Sequence, residues 1–172
     1  MFSLNDLMVI ASKSETLNLS YVVIMNNDKV VPEIEEDYFE YAVSLETLLK
    51  ALPNVKNFTY ELPRNSLNII TTKTAEELLE IPYFLSLDKF DITGIPDIFD
   101  INTFYGHIKK NKKTNIQLEY FFHISDEYET RLQTIVDEIL ETENRDYKVP
   151  IISFPGITNS SYDKMRALFY QN

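Results

Sequence analysis

Apolar residues recur along this chain at two spacings, and the spacing decides the element. From Asp37 onward, Tyr38, Tyr41, Ala42, Leu45, Leu48, Leu49 and Leu52 fall on one face of a helical period. Asp37-x-x-Glu40 has capping-box spacing and Pro53 closes the run, so a helix is predicted between them. A longer helix opens at Asp126, with Glu129 as capping partner, and runs to about Glu143. Its stripe is Tyr128, Leu132, Ile135, Val136, Ile139 and Leu140. Ser3 caps a short helix through about Ser12, with Leu4, Leu7, Met8 and Ala11 on one side. Thr74-x-x-Glu77 caps another that stops before Pro82. A last helix is predicted from Ser161 to Tyr170, burying Met165, Leu168 and Phe169.

Strand patterns lie between these helices. In Ile116–Ile124, the residues Ile116, Leu118, Tyr120, Phe122 and Ile124 alternate with Gln117, Glu119, Phe121 and His123. Val149–Phe154 reads as a buried strand, and the order strand–helix–strand from 116 to 154 predicts a right-handed crossover. Leu19–Met25 and Lys29–Ile34 flank Asn26-Asn27-Asp28, a hairpin turn, and Pro32 makes the second of them short or an edge strand. Asn57–Leu62 and Leu67–Thr72 predict a second hairpin around Pro63-Arg64-Asn65-Ser66. The expected class is therefore α+β. One domain over 1–172 would hold a mixed, mostly antiparallel sheet, with helices packed largely on one face. Ile81–Gly106 carries no clear element. Its echo of Asp88-Lys89-Phe90-Asp91 in Asp97-Ile98-Phe99-Asp100 predicts two similar turns ending in helix caps.

Composition narrows the chemistry. The 11 Phe and 11 Tyr supply a core, since each buried ring removes roughly 150–250 Å² from water. With no cysteine there is no disulfide framework, zinc–thiolate site or iron–sulfur cluster. A formal net charge of −11 opposes binding to nucleic acid or to an anionic membrane and favours a basic partner. The start of the chain has Asp6 where a signal peptide would have lysine or arginine, and Leu19–Met25 is too short to span a bilayer. Isoleucine, asparagine, lysine, tyrosine and phenylalanine are abundant, and glycine is scarce, as AT-rich coding favours in many phages and viruses. The expectation is a soluble intracellular protein of the host cytoplasm, or a virion component.

Gly94, Gly106 and Gly156 lie too far apart for a dinucleotide fingerprint or a P-loop, and neither H-E-x-x-H nor G-x-S-x-G occurs. His107 and His123 are the bases with an ordinary pKa near neutrality. His123 precedes Asp126 by three residues, and Ser125 or Ser153 would complete the residue types of a hydrolytic triad. Asp88, Asp91, Asp97 and Asp100, with His123, could converge on Mg²⁺ or Ca²⁺, although helix capping and turn formation account for the same aspartates. Lys109, Lys110, Lys112 and Lys113 form a basic cluster that suits phosphate, an acidic partner or a solvated helix end. Acids cluster at Glu33, Glu35, Glu36, Asp37 and Glu40, and again along the longest helix. Among the latter, Asp137, Glu138, Glu141 and Glu143, with Tyr147 just beyond, form the candidate docking set for a basic protein.

These features predict a non-enzymatic protein–protein interaction protein with no cofactor. One version is a structural component of a phage or viral particle, whose partner is another copy in an oligomer. The alternative is an acidic inhibitor, immunity-type protein or DNA mimic that binds a basic target. The rival class is a metal-dependent hydrolase using the four aspartates and His123.

Overall fold

The computed structural model describes residues 2–26, 41–64, 68–120 and 123–171. Its elements in order are β1 (Phe2–Ser3), α1 (Leu4–Ala11), β2 (Thr16–Ser20), β3 (Ile24–Met25), α2 (Leu45–Lys50), β4 (Asn57–Glu61) and α3 (Thr74–Leu79). There follow β5 (Lys89–Ile95), α4 (Ile101–Ile108), β6 (Asn115–Tyr120), α5 (Asp126–Glu141), β7 (Ile151–Ser153) and α6 (Asn159–Gln171).

Five strands form one sheet in the order β2-β4-β5-β6-β7, and every pairing is parallel. This overturns the expected mixed, mostly antiparallel α+β sheet: the arrangement is α/β. Alternation of apolar and polar residues reports which face of a strand is buried, not which way its neighbour runs. Here a parallel sheet has one buried and one wetted face, so its strands carry the pattern usual for antiparallel ones.

The two expected hairpins fail for that reason. After β4 the chain turns away toward α3, and Ile69 and Ile70 are buried in irregular backbone instead of a returning strand. Ile24–Met25 pairs in parallel with Phe2–Ser3; the other half of that hairpin, Lys29–Ile34, lies outside the described residues. The strand–helix–strand unit from β6 through α5 to β7 is present, with its two strands parallel neighbours. The unassigned stretch 81–106 contains the central strand β5 and most of α4.

Local chemistry fixes the helix ends. Ser3 and Asp6 form a reciprocal capping box at α1. Asp100 accepts from the Thr103 backbone N–H at 3.1 Å and starts α4. Of the helix expected from Asp37, the described part begins at Leu45, since Ala42 is held in a bridge to Met25 and Ser44 is extended; the Asp37–Glu40 capping box and the acids from Glu33 lie outside the described residues. Thr74 is the first residue of α3, not its cap: its fully buried hydroxyl accepts from the Thr71 N–H and donates to Glu46 of α2. In α6 only Met165 is buried; Leu168 and Phe169 are half-buried.

Two rows of inward side chains build the core: Leu17, Phe58, Phe90 and Ile116, then Leu19, Tyr60, Ile92, Leu118 and Ile152. Phe58 and Phe90 stack at 6.1 Å, and Phe84 meets Phe90 edge-on at 4.9 Å. The apolar stripes of α2, α4 and α5 close over these rows. Sequential strand order explains the layering. Crossovers between parallel neighbours are as a rule right-handed, and in sequential order one hand puts successive helices on the same side. Among the described residues no helix is long and apolar enough to cross a membrane.

A candidate binding face on the open side of the sheet

The side of the sheet away from the helices carries three polar rungs. The first is Thr16, Asn57, Lys89 and Asn115; the second is Asn18, Thr59, Asp91 and Gln117, ending on Ile151. The third, nearest the strand C-termini, is Ser20, Glu61, Thr93, Glu119 and Ser153. Every one of these side chains is exposed or half-buried except Ile151. Parallel sheets are ordinarily covered on both faces, so a face that no described helix covers, with this many donors and acceptors, is unusual.

Charge is graded along the strands. Lys89 pairs with Asp91 at 2.8 Å and donates to Thr59 Oγ1 at 3.2 Å. Lys148 donates to Asn115 Oδ1 at 2.8 Å, so cations line the N-terminal side. Glu61 and Glu119, on the C-terminal rung, have no ion-pair partner among the described residues. Their carboxylates are left for solvent or for a ligand.

Above that rung lies a crevice of about 630 Å³, lined by Tyr21, Leu62, Arg64, Thr93, Gly94, Glu119, Tyr120 and His123. Two backbone departures shape it. Gly94 has φ 90° where the β5–β6 register shifts, a conformation open to glycine and costly with a Cβ. Tyr21 has φ 54°, which costs a non-glycine residue about 1–2 kcal/mol. Its N–H still extends the ladder to Glu61 O at 2.8 Å, while its ring stands 69% exposed at the crevice mouth. These are the two positive-φ residues of the described chain, and both face one cavity. Burial, reinforced by the neighbouring Tyr128 hydroxyl, holds Tyr120 well above the usual tyrosine range, so its hydroxyl stays neutral.

Of the residues singled out from the sequence, His123 alone reaches the crevice. The four aspartates serve separate ends. Asp88 pairs with Lys113 at 2.9 Å and Asp91 with Lys89, Asp97 accepts from the Ser125 N–H at 3.1 Å, and Asp100 caps α4. Among the described residues, no three His, Asp or Glu side chains gather where they could hold a metal. Nor does any hydrogen bond among them join His123 to Asp126. The echo of Asp88–Asp91 in Asp97–Asp100 is thus a strand start and a helix cap.

The acidic docking set sits on the helix layer. Asp137 accepts from Gln133 at 2.7 Å, and Glu138 pairs with Lys109 at 3.3 Å. Glu141 borders a shallow hollow with Arg145 and Lys164, Glu143 is exposed, and Tyr147 is half-buried against the core. The basic cluster is occupied in the same layer: Lys109 also lies 4.7 Å from the Tyr105 ring centre, and Lys112 pairs with Asp146 at 2.6 Å. Such exposed pairs contribute about 0–1 kcal/mol each. Tyr21, Arg64, Thr93 and Glu119 were missed because each belongs to an element the pattern misassigned or read only for its apolar residues.

His107 packs against Phe84 and Phe104. Burial, and then the nearby Lys110 charge, hold it below the usual histidine range. The unfolded chain therefore takes up this proton at a higher pH than the folded one. The stability from keeping the ring neutral is complete above about pH 6.5 and is lost as pH falls through the folded value. Melting followed by circular dichroism should show the midpoint falling between about pH 7 and pH 5, with a flatter profile in His107→Gln.

Comparison with protein-family profiles, with curated proteins and with solved structures finds no match to this chain.

Proposed function

We propose that this chain is a non-enzymatic binding protein that holds a protein partner against the open face of its sheet. The observation that supports this best is the parallel sheet with one face that no described element covers, whose three polar rungs end at a crevice with an exposed tyrosine. Rigid strands present the side chains of a rung at fixed spacing, which gives specificity without any moving part. The net charge of −11 favours a basic protein over a polyanion, because association with nucleic acid needs a cationic footprint.

A photo-crosslinking residue placed at Thr59 or Gln117 tests the assignment of the face. In cells of the native host, both positions should yield a discrete crosslinked protein. The same residue at Thr134, exposed on α5, should yield none. Crosslinks from Thr134 with none from the sheet would place the interaction on the helix layer and refute the reading.

A further inference from the structure

We propose that the occupant of this face is a cationic segment of the partner in the polyproline II conformation, crossing the strands with an apolar side chain in the crevice. This identifies the partner chemistry of the binding face above and rests on that reading. The crevice comes first in the argument. Leu62 and the ring of Tyr21 give it apolar walls, and Thr93 and Glu119 belong both to it and to the C-terminal rung. A segment lying on the rung therefore passes the crevice mouth.

Spacing selects the conformation. Glu61 and Glu119 occupy one rung with Thr93 between them, so they stand two strand spacings apart, roughly 9.5 Å. A polyproline II helix returns a side chain to the same side every third residue, after about 9.3 Å. A β-strand does so after roughly 6.7 Å, which leaves the second cation short of its carboxylate. Cations three residues apart in a polyproline II segment would thus meet both glutamates. Charge selects the sign: Asp91 is already paired with Lys89, whereas Glu61 and Glu119 are not paired among the described residues.

Arg64 fits the same occupant. Polyproline II makes no internal hydrogen bonds, so its carbonyls remain free to accept from a guanidinium at the rim. An exposed tyrosine ring beside an apolar pocket is the kind of wall on which such segments dock elsewhere.

The test titrates the full chain against carboxyfluorescein-Pro-Arg-Pro-Phe-Arg-Pro-Pro-amide, the dye acylating the N-terminus, and reads anisotropy. A control peptide of the same composition has its arginines two residues apart. The first peptide should saturate and weaken steeply as NaCl is raised, and the control should bind several-fold more weakly. Glu61→Gln and Glu119→Gln should each weaken binding about five-fold, as expected of one modest charge pair. Tyr21→Gly should weaken it without lowering the melting temperature, since glycine accepts the positive φ. Glu141→Gln on α5 should change nothing. Equal binding of the two peptides, or indifference to both glutamate substitutions, would overturn the proposal. If neither peptide binds while Thr59 and Gln117 still crosslink, this occupant is wrong and the binding face stands. If those crosslinks are also absent, the face itself is refuted.

Discussion

Replacing Phe90 by alanine should remove about 3–5 kcal/mol of stability, the largest loss from any single truncation considered for this chain. Phe90 lies in the central strand β5 and is 1% exposed. Its ring meets Phe58 at 6.1 Å, Phe84 at 4.9 Å and Phe104 at 5.9 Å, so truncation opens a cavity bounded by three other rings. Those neighbours belong to β4, to the turn before β5 and to α4, and no single shift closes the void. Domains of this size are stable by about 5–15 kcal/mol, so the variant should remain foldable but markedly weakened. Urea denaturation followed by circular dichroism measures this as a lower midpoint at unchanged slope. Phe90→Leu, which keeps much of the volume, should lose less than half as much. Equal losses for both would mean that the ring contacts, not the filled volume, set the loss.

The second large effect concerns the buried Glu46–Thr74 contact. Thr74 is fully buried and Glu46 nearly so. The threonine hydroxyl donates to Glu46 at 3.1 Å and accepts from the Thr71 N–H at 2.9 Å, tying α2 to α3. Thr74→Val keeps the shape and deletes both bonds, together with the 3.3 Å contact to the Thr71 hydroxyl. A buried carboxylate and a backbone N–H then lose their partner, at a cost of about 2–3 kcal/mol. Replacing both partners by apolar groups costs much less than stranding one. Glu46→Leu combined with Thr74→Val should therefore be less destabilised than the sum of the single variants. A double-mutant cycle in urea measures that difference, and strict additivity would show that the contact contributes nothing.

The sequence made the helices legible because caps and stripes are local. Ser3, the Asp126 stripe and the Thr74 region all lie at or within a helix as the spacing predicts. It also placed β6 and β7 and the crossover between them. It could not show strand direction, because the alternation of Ile116, Gln117, Leu118 and Glu119 looks the same in either orientation. β5 stayed hidden. Lys89-Phe90-Asp91-Ile92 alternates over few residues before Gly94, and its aspartates equally suit turns and helix caps. The crevice was the least legible part. Tyr21 and Gly94 owe their positions to positive φ values, and in Tyr21 nothing in the residue type signals one. Glu61 and Glu119 come together only through the parallel register of three strands.

The singly wound order has a mechanical consequence. Each strand–helix unit packs chiefly on the unit before it and the unit after it, so the molecule is held together link by link, like a short chain. The α6 end, anchored through Met165, is the natural place for opening to begin. Anything lodged across β4, β5 and β6 grips three links at once. It would act as a cross-brace, turning sequential attachment into shared rigidity.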